Sequence, residues 1–128
     1  FVTQPLSMVG SDAVLLGDFP SPRTYGCFPI ILAEYVREER QISLPNAIRK
    51  MTSFPAQRLG LSDRGVLRDG MKADVTVFNP NSVSAPATRT HPKQFPIGIE
   101  YVIVNGTPVI DAGEHTGVTP GRALRHGR

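Results

Sequence analysis

The sequence predicts an α+β fold: two helices packed on a small, mainly antiparallel sheet. Three observations carry it. Over 27–40, Phe28, Ile31, Leu32, Tyr35 and Val36 recur at spacings of three and four, with Glu34, Arg37, Glu38 and Arg40 opposite; this is the period of an amphipathic helix. Ala73-Asp74-Val75-Thr76-Val77-Phe78 alternates and is rich in β-branched residues, as strands are. Two apolar runs, 99–104 and 107–110, meet at Asn105-Gly106, which predicts a hairpin closed by a type I′ turn.

In chain order, Val2, Leu6, Met8 and Val9 form an apolar run that stops on Gly10-Ser11-Asp12. It predicts a strand, with Pro5 keeping its first part away from a sheet centre. A strand that ends on a carboxylate is how α/β barrels present catalytic groups. An Asp12 that caps a helix or forms a turn is the plainer alternative. Residues 13–26, punctuated by Gly17, Pro20, Pro22 and Gly26, predict a loop, long enough to suggest a function. After the first helix, Ser43 as N-cap and Pro45 in the first turn open a second one. Its buried face is Leu44, Ala47, Ile48 and Met51, and Arg49 and Lys50 suit its C-terminal dipole. Pro55 ends it, and 56–59 add one more turn closed by a left-handed Gly60. Residues 64–70 predict a short strand between glycines. Residues 79–98 predict a proline-studded connector, and 111–128 an irregular tail.

The 128 residues are one domain's worth, 40% hydrophobic and 20% charged, which is ordinary globular material. Twelve prolines and twelve glycines allow few long elements. The net charge of +3 owes much to Arg122, Arg125 and Arg128, and no aromatic interleaving or recognition motif accompanies them. A solvated tail is expected, with no nucleic-acid partner. No apolar run is long enough to span a bilayer, so no membrane association is expected. Cys27, alone, is read as a small buried hydrophobe, consistent with a reducing, cytoplasmic compartment. The first strand has no partner in its own half, and the chain opens on Phe1 without a basic leader. The expectation is a piece of a larger sheet or barrel. Met8 and Phe28 would then lie exposed on the isolated piece and drive homo-oligomerisation.

Several stretches together resemble one family. Gly10-Ser11-Asp12 and Pro22-Arg23-Thr24-Tyr25-Gly26-Cys27-Phe28-Pro29 resemble the last barrel strand and following loop of the amidohydrolase superfamily, in its N-acyl-D-amino-acid deacylase branch. Ala47-Ile48-Arg49-Lys50-Met51-Thr52, Pro55-Ala56 and Leu59-Gly60-Leu61 are similar to the helical segment that follows. Arg64-Gly65-Val66-Leu67, Gly70 to Phe78, Gly98-Ile99-Glu100, Val104-Asn105-Gly106 and Gly121-Arg122-Ala123-Leu124 resemble the return into the small β-domain. The resemblance runs from about residue 5 to residue 125. It implies that 1–60 are the last strand, active-site loop and C-terminal helices of a (β/α)8 barrel, and that 61–128 are part of the small β-domain plus a tail.

The implied activity is zinc-dependent hydrolysis of the amide bond of N-acyl-D-amino acids. Asp12 matches the family's strand-end aspartate. Zinc acidifies a bound water, and a nearby carboxylate can pass that water's proton to the leaving amine. Arg23 matches an arginine that binds the substrate's α-carboxylate, a group that a planar guanidinium fits in two-point fashion. The family's metal ligands have no counterparts in this chain. His91, His115 and His126 are scattered and fall outside the matching positions. The chain is therefore expected to bind no metal and to be inactive alone. It departs from the family at Phe19 and Ser21, where the deacylases often carry histidines before Pro-Arg, and at Asn79. Asp63 and Asp74 are expected to be structural, and Glu34, Glu38 and Glu39 a solvated face. The alternative to an enzyme piece is a stand-alone, non-catalytic interaction module, or gene remnant, with an inherited fold.

Overall fold

In the computed structural model, which describes residues 1–125, helices precede a four-stranded sheet. Arg128 and His126 of the basic tail lie outside the described residues. Helix α1 spans Arg23–Ile30 and runs on as a π-helical stretch, Ile31–Glu38. It starts earlier than the apolar period implies, because Pro22 sits at the cap and the Pro22 carbonyl accepts from the Tyr25 and Gly26 N–H groups. Pro29 lies inside α1 and cannot donate one turn back. Beyond it the winding widens: the Glu39 N–H donates to the Glu34 carbonyl, five residues earlier.

Helix α2, Leu44–Met51, opens on Ser43, whose backbone is extended as an N-cap requires but whose side chain makes no capping bond. A short α3, Ser53–Arg58, carries Pro55 in its first turn, where the missing N–H costs nothing. Gly60 closes it with φ of 71°.

The sheet is an antiparallel meander, β1 (Val75–Phe78), β2 (Ile99–Val104), β3 (Thr107–Asp111) and β4 (Glu114–His115). Asn105 and Gly106 have φ of 49° and 81°, the left-handed pair that a type I′ turn requires. Asn105 Nδ2 donates to the Pro120 carbonyl, and the Gly106 N–H to the Ala73 carbonyl. The tail is less irregular than expected: Ala112-Gly113 makes a second tight turn that adds β4.

The core comprises Ile31, Leu32, Ile42, Ala47 and Val83, with Phe78 and Ile99 packed against it. The helices thus meet the sheet mainly at one end, and the 79–98 connector supplies Val83. That connector comes close enough to α1 that a Cβ on Gly26 would lie 2.7 Å from Ala85 Cβ. Met8 and Phe28 are both exposed, as expected.

Two expected strands do not form. Residues 64–70 bend instead of pairing, around Gly65 and Gly70 with φ of 91° and 83°. Residues 1–12 run unpaired, because no described segment lies alongside them to complete a ladder. Among the described residues, their one backbone-to-backbone hydrogen bond to the helices is the Val9 N–H donating to the Lys50 carbonyl, 3.1 Å.

Candidate functional site

The two residues singled out by sequence meet. Asp12 ends the unpaired segment, and its φ of 44° puts it in the left-handed region that aspartate tolerates better than most residues. Arg23 is the first residue of α1. Its Nη2 donates to Asp12 Oδ2 at 2.9 Å, with the side chains 54% and 80% exposed. A pair this open is worth at most about 1 kcal/mol, so a competing carboxylate can displace it. Beside it, Thr24 Oγ1 donates to the Val14 carbonyl, and Cys27 Sγ to the Gly10 carbonyl at 3.7 Å. Burial pushes the Cys27 thiol above its ordinary range, against the opposing pull of the Arg23 guanidinium. An open hollow of about 430 Å³, lined by Ala13, Leu15, Thr24, Tyr25 and Phe95, adjoins the chain neighbours of both residues.

The sequence places Lys50 beside Arg49 near the C-terminal end of α2, where a cation suits the helix dipole. The structure buries it completely. Position 50 lies one helical step beyond the fully buried Ala47, so the side chain turns inward. Its Nζ donates to the Gln4 carbonyl at 2.5 Å and to the Ser7 carbonyl and Oγ, both at 2.9 Å. Ser7 Oγ in turn donates to the Gln4 carbonyl, so it accepts from Lys50. Three acceptors match the three N–H groups of an ammonium. Burial, and Arg49 next to it, push that ammonium below its ordinary range. Arg49 is exposed: its guanidinium lies 4.4 Å from the centre of the Phe54 ring, and its Nη2 donates to the Pro5 carbonyl at 3.4 Å.

Asp74 and Asp63 are structural in the described geometry. Both pair with Arg64, and Asp74 Oδ1 also accepts from the Asn105 N–H at 2.8 Å, tying the 64–74 segment to the hairpin turn. Glu34, Glu38 and Glu39 are exposed. Phe19 projects into solvent, and the Ser21 carbonyl accepts from the Thr24 N–H at the start of α1. His91 and His115 are exposed and bond locally, to Thr90 and Gly117. Among the described residues no three His, Cys, Asp or Glu side chains come together in a way that fits a metal ion. None of the described helices is long and apolar enough to cross a membrane.

The sequence profile described as Amidohydrolase family matches residues 3–110, and the chain belongs to that family. An N-acyl-D-aspartate deacylase from Alcaligenes xylosoxydans xylosoxydans is 44% identical over 126 residues, covering 98% of this chain and 25% of that protein. A D-aminoacylase from the same organism is 42% identical, over 92% of this chain and 24% of that protein. A solved N-acyl-D-glutamate deacylase from Bordetella bronchiseptica, complexed with zinc and a phosphonate inhibitor, superposes with a TM-score of 0.82 at 43% identity. That match covers 84% of this chain and 23% of the deacylase. The chain thus spans about a quarter of the length of the curated relatives it matches.

Proposed function

We propose that the protein carrying this chain hydrolyses the amide bond of N-acyl-D-amino acids, and that this chain supplies its proton shuttle, Asp12, and its substrate anchor, Arg23. The observation that carries the reading is the 2.9 Å Asp12–Arg23 pair in a chain of this family. In the resting pair Arg23 Nη2 donates to Asp12 Oδ2. A substrate α-carboxylate that reaches Arg23 takes over the guanidinium's two parallel donors. Asp12 is then released to accept a proton from the attacking water and to hand it to the departing amine nitrogen, leaving a carboxylic acid and a D-amino acid. Residues 1–60 would close the catalytic barrel and 61–128 would belong to the small β-domain. The deacylase complexed with zinc supports a zinc-dependent whole protein. Its ligands would lie outside this chain, which is why the chain alone is expected to be inactive.

The test is to express the gene from its own start codon and assay free amino acid released from N-acetyl-D- and L-amino acids. Turnover of the D-series is expected. Asp12→Asn should lower kcat by 10²-fold or more, the order that loss of a positioned acid–base group costs. Arg23→Gln should mainly raise KM for carboxylate substrates and leave an N-acyl amine, which lacks that carboxylate, unaffected. No turnover of the D-series, or an Asp12→Asn enzyme as fast as the parent, refutes the reading.

A further inference from the structure

The catalytic reading uses Asp12 and Arg23 and leaves one conspicuous group without work: the wholly buried Lys50. A buried lysine is rare and needs full compensation. Here every acceptor that compensates it belongs to the segment that ends on Asp12. Gln4 and Ser7 receive its three N–H groups, and the Lys50 carbonyl receives the N–H of Val9. Lys50 of α2 therefore grips residues 4–9 at both its side chain and its backbone, and the exposed Arg49 beside it adds one long bond, from Nη2 to the Pro5 carbonyl at 3.4 Å. Among the described residues, that stretch has no strand neighbour to hold it. Beyond Val9 the segment touches α1, through Cys27 Sγ on the Gly10 carbonyl and Arg23 on Asp12. The first of these is a weak thiol contact. The second is broken whenever Arg23 takes a substrate carboxylate.

We infer that Lys50 is a positioning residue for Asp12: it fixes the approach of the 4–9 segment, so that Asp12 keeps its place when Arg23 lets go. The inference rests on the proton-shuttle reading of Asp12. Lys50 touches no reacting atom and acts only through the backbone that carries the carboxylate. A reacting group displaced by about 1 Å costs on the order of a hundredfold in rate, so a loosened segment shows in kcat.

The experiment uses the full-length protein, with N-acetyl-D-amino acids as probes. In Lys50→Met, which keeps the side chain's length but none of its donors, kcat is expected to fall 10- to 100-fold while KM stays within about threefold. Metal content should match the parent, and the Val9 amide should exchange faster with solvent. A folded Lys50→Met enzyme with unchanged kcat overturns the inference. So does a loss of kcat that comes with loss of metal or an equal change in KM, which marks a general structural role. If Lys50→Met does not fold, Ser7→Ala decides, since it removes one of the three acceptors and leaves both carbonyls. A severalfold drop in kcat at constant KM supports the inference, and an unchanged kcat refutes it. If Asp12→Asn is itself fully active, the reading of Asp12 has failed rather than the role of Lys50 alone.

Discussion

Removing the Asp74 carboxylate should loosen the join between the 64–74 segment and the hairpin by an amount that the geometry fixes. Asp74 Oδ1 accepts the Asn105 N–H at 2.8 Å, and Oδ2 accepts from an Arg64 side chain that is only 16% exposed. A hydrogen bond to a charged acceptor is worth about 1.5–3 kcal/mol, and a partly covered ion pair adds up to about 1. Asp74→Ala should therefore cost about 2–4 kcal/mol. Asp74→Asn keeps an oxygen for Asn105 but loses the charge, and should cost about half as much. Asp63→Ala breaks a more exposed contact between chain neighbours and should cost under about 0.5 kcal/mol. The assay is urea unfolding of the full-length protein, together with amide exchange at Asn105, which should quicken at least tenfold in Asp74→Ala. The reasoning fails if Asp74→Ala and Asp63→Ala cannot be told apart, or if Asp74→Asn costs as much as Asp74→Ala.

Gly26→Ala should destabilise by about 1–3 kcal/mol, because the new methyl meets Ala85 Cβ at 2.7 Å, and Ala85→Gly in the same protein should restore most of the loss in thermal unfolding. Cys27 should alkylate slowly with iodoacetamide near neutral pH, its labelling midpoint lying above the ordinary thiol value of 9.0. Because folding raises this thiol's pKa, its contribution to stability is complete below the unfolded-state pKa and is lost as pH rises through the folded one. A labelling midpoint below 9.0 contradicts the burial argument.

What the sequence made legible was local. Asn105-Gly106 can close a hairpin only in one way, and the period over 28–36 needs no distant partner to be read. The candidate pair was legible because Asp12 and Arg23 matched a family pattern, and they lie in contact. What was not legible depends on neighbours far along the chain. The 1–12 run has strand composition, but composition supplies no ladder partner. The 64–70 run is broken by glycines that favour left-handed backbone over extension. Lys50 reads as a helix-end cation until the carbonyls of Gln4 and Ser7, more than forty residues earlier, are brought beneath it. Its one advance signal was its place one helical step beyond Ala47.

The hairpin turn has a consequence for how long the protein lasts. An asparagine followed by glycine is the sequence most prone to spontaneous loss of its side-chain amide, which begins when the glycine nitrogen attacks the asparagine side-chain carbonyl carbon and ammonia leaves. In this turn the Gly106 nitrogen is engaged by Ala73 and the Asn105 amide by Pro120, so the attacking and attacked groups are each held elsewhere. The bonds that shape the turn should therefore slow this reaction in the folded protein. The same dipeptide in a proteolysed or unfolded chain would convert to aspartate and isoaspartate, making charge gain at residue 105 a chemical clock for the time the protein has spent unfolded.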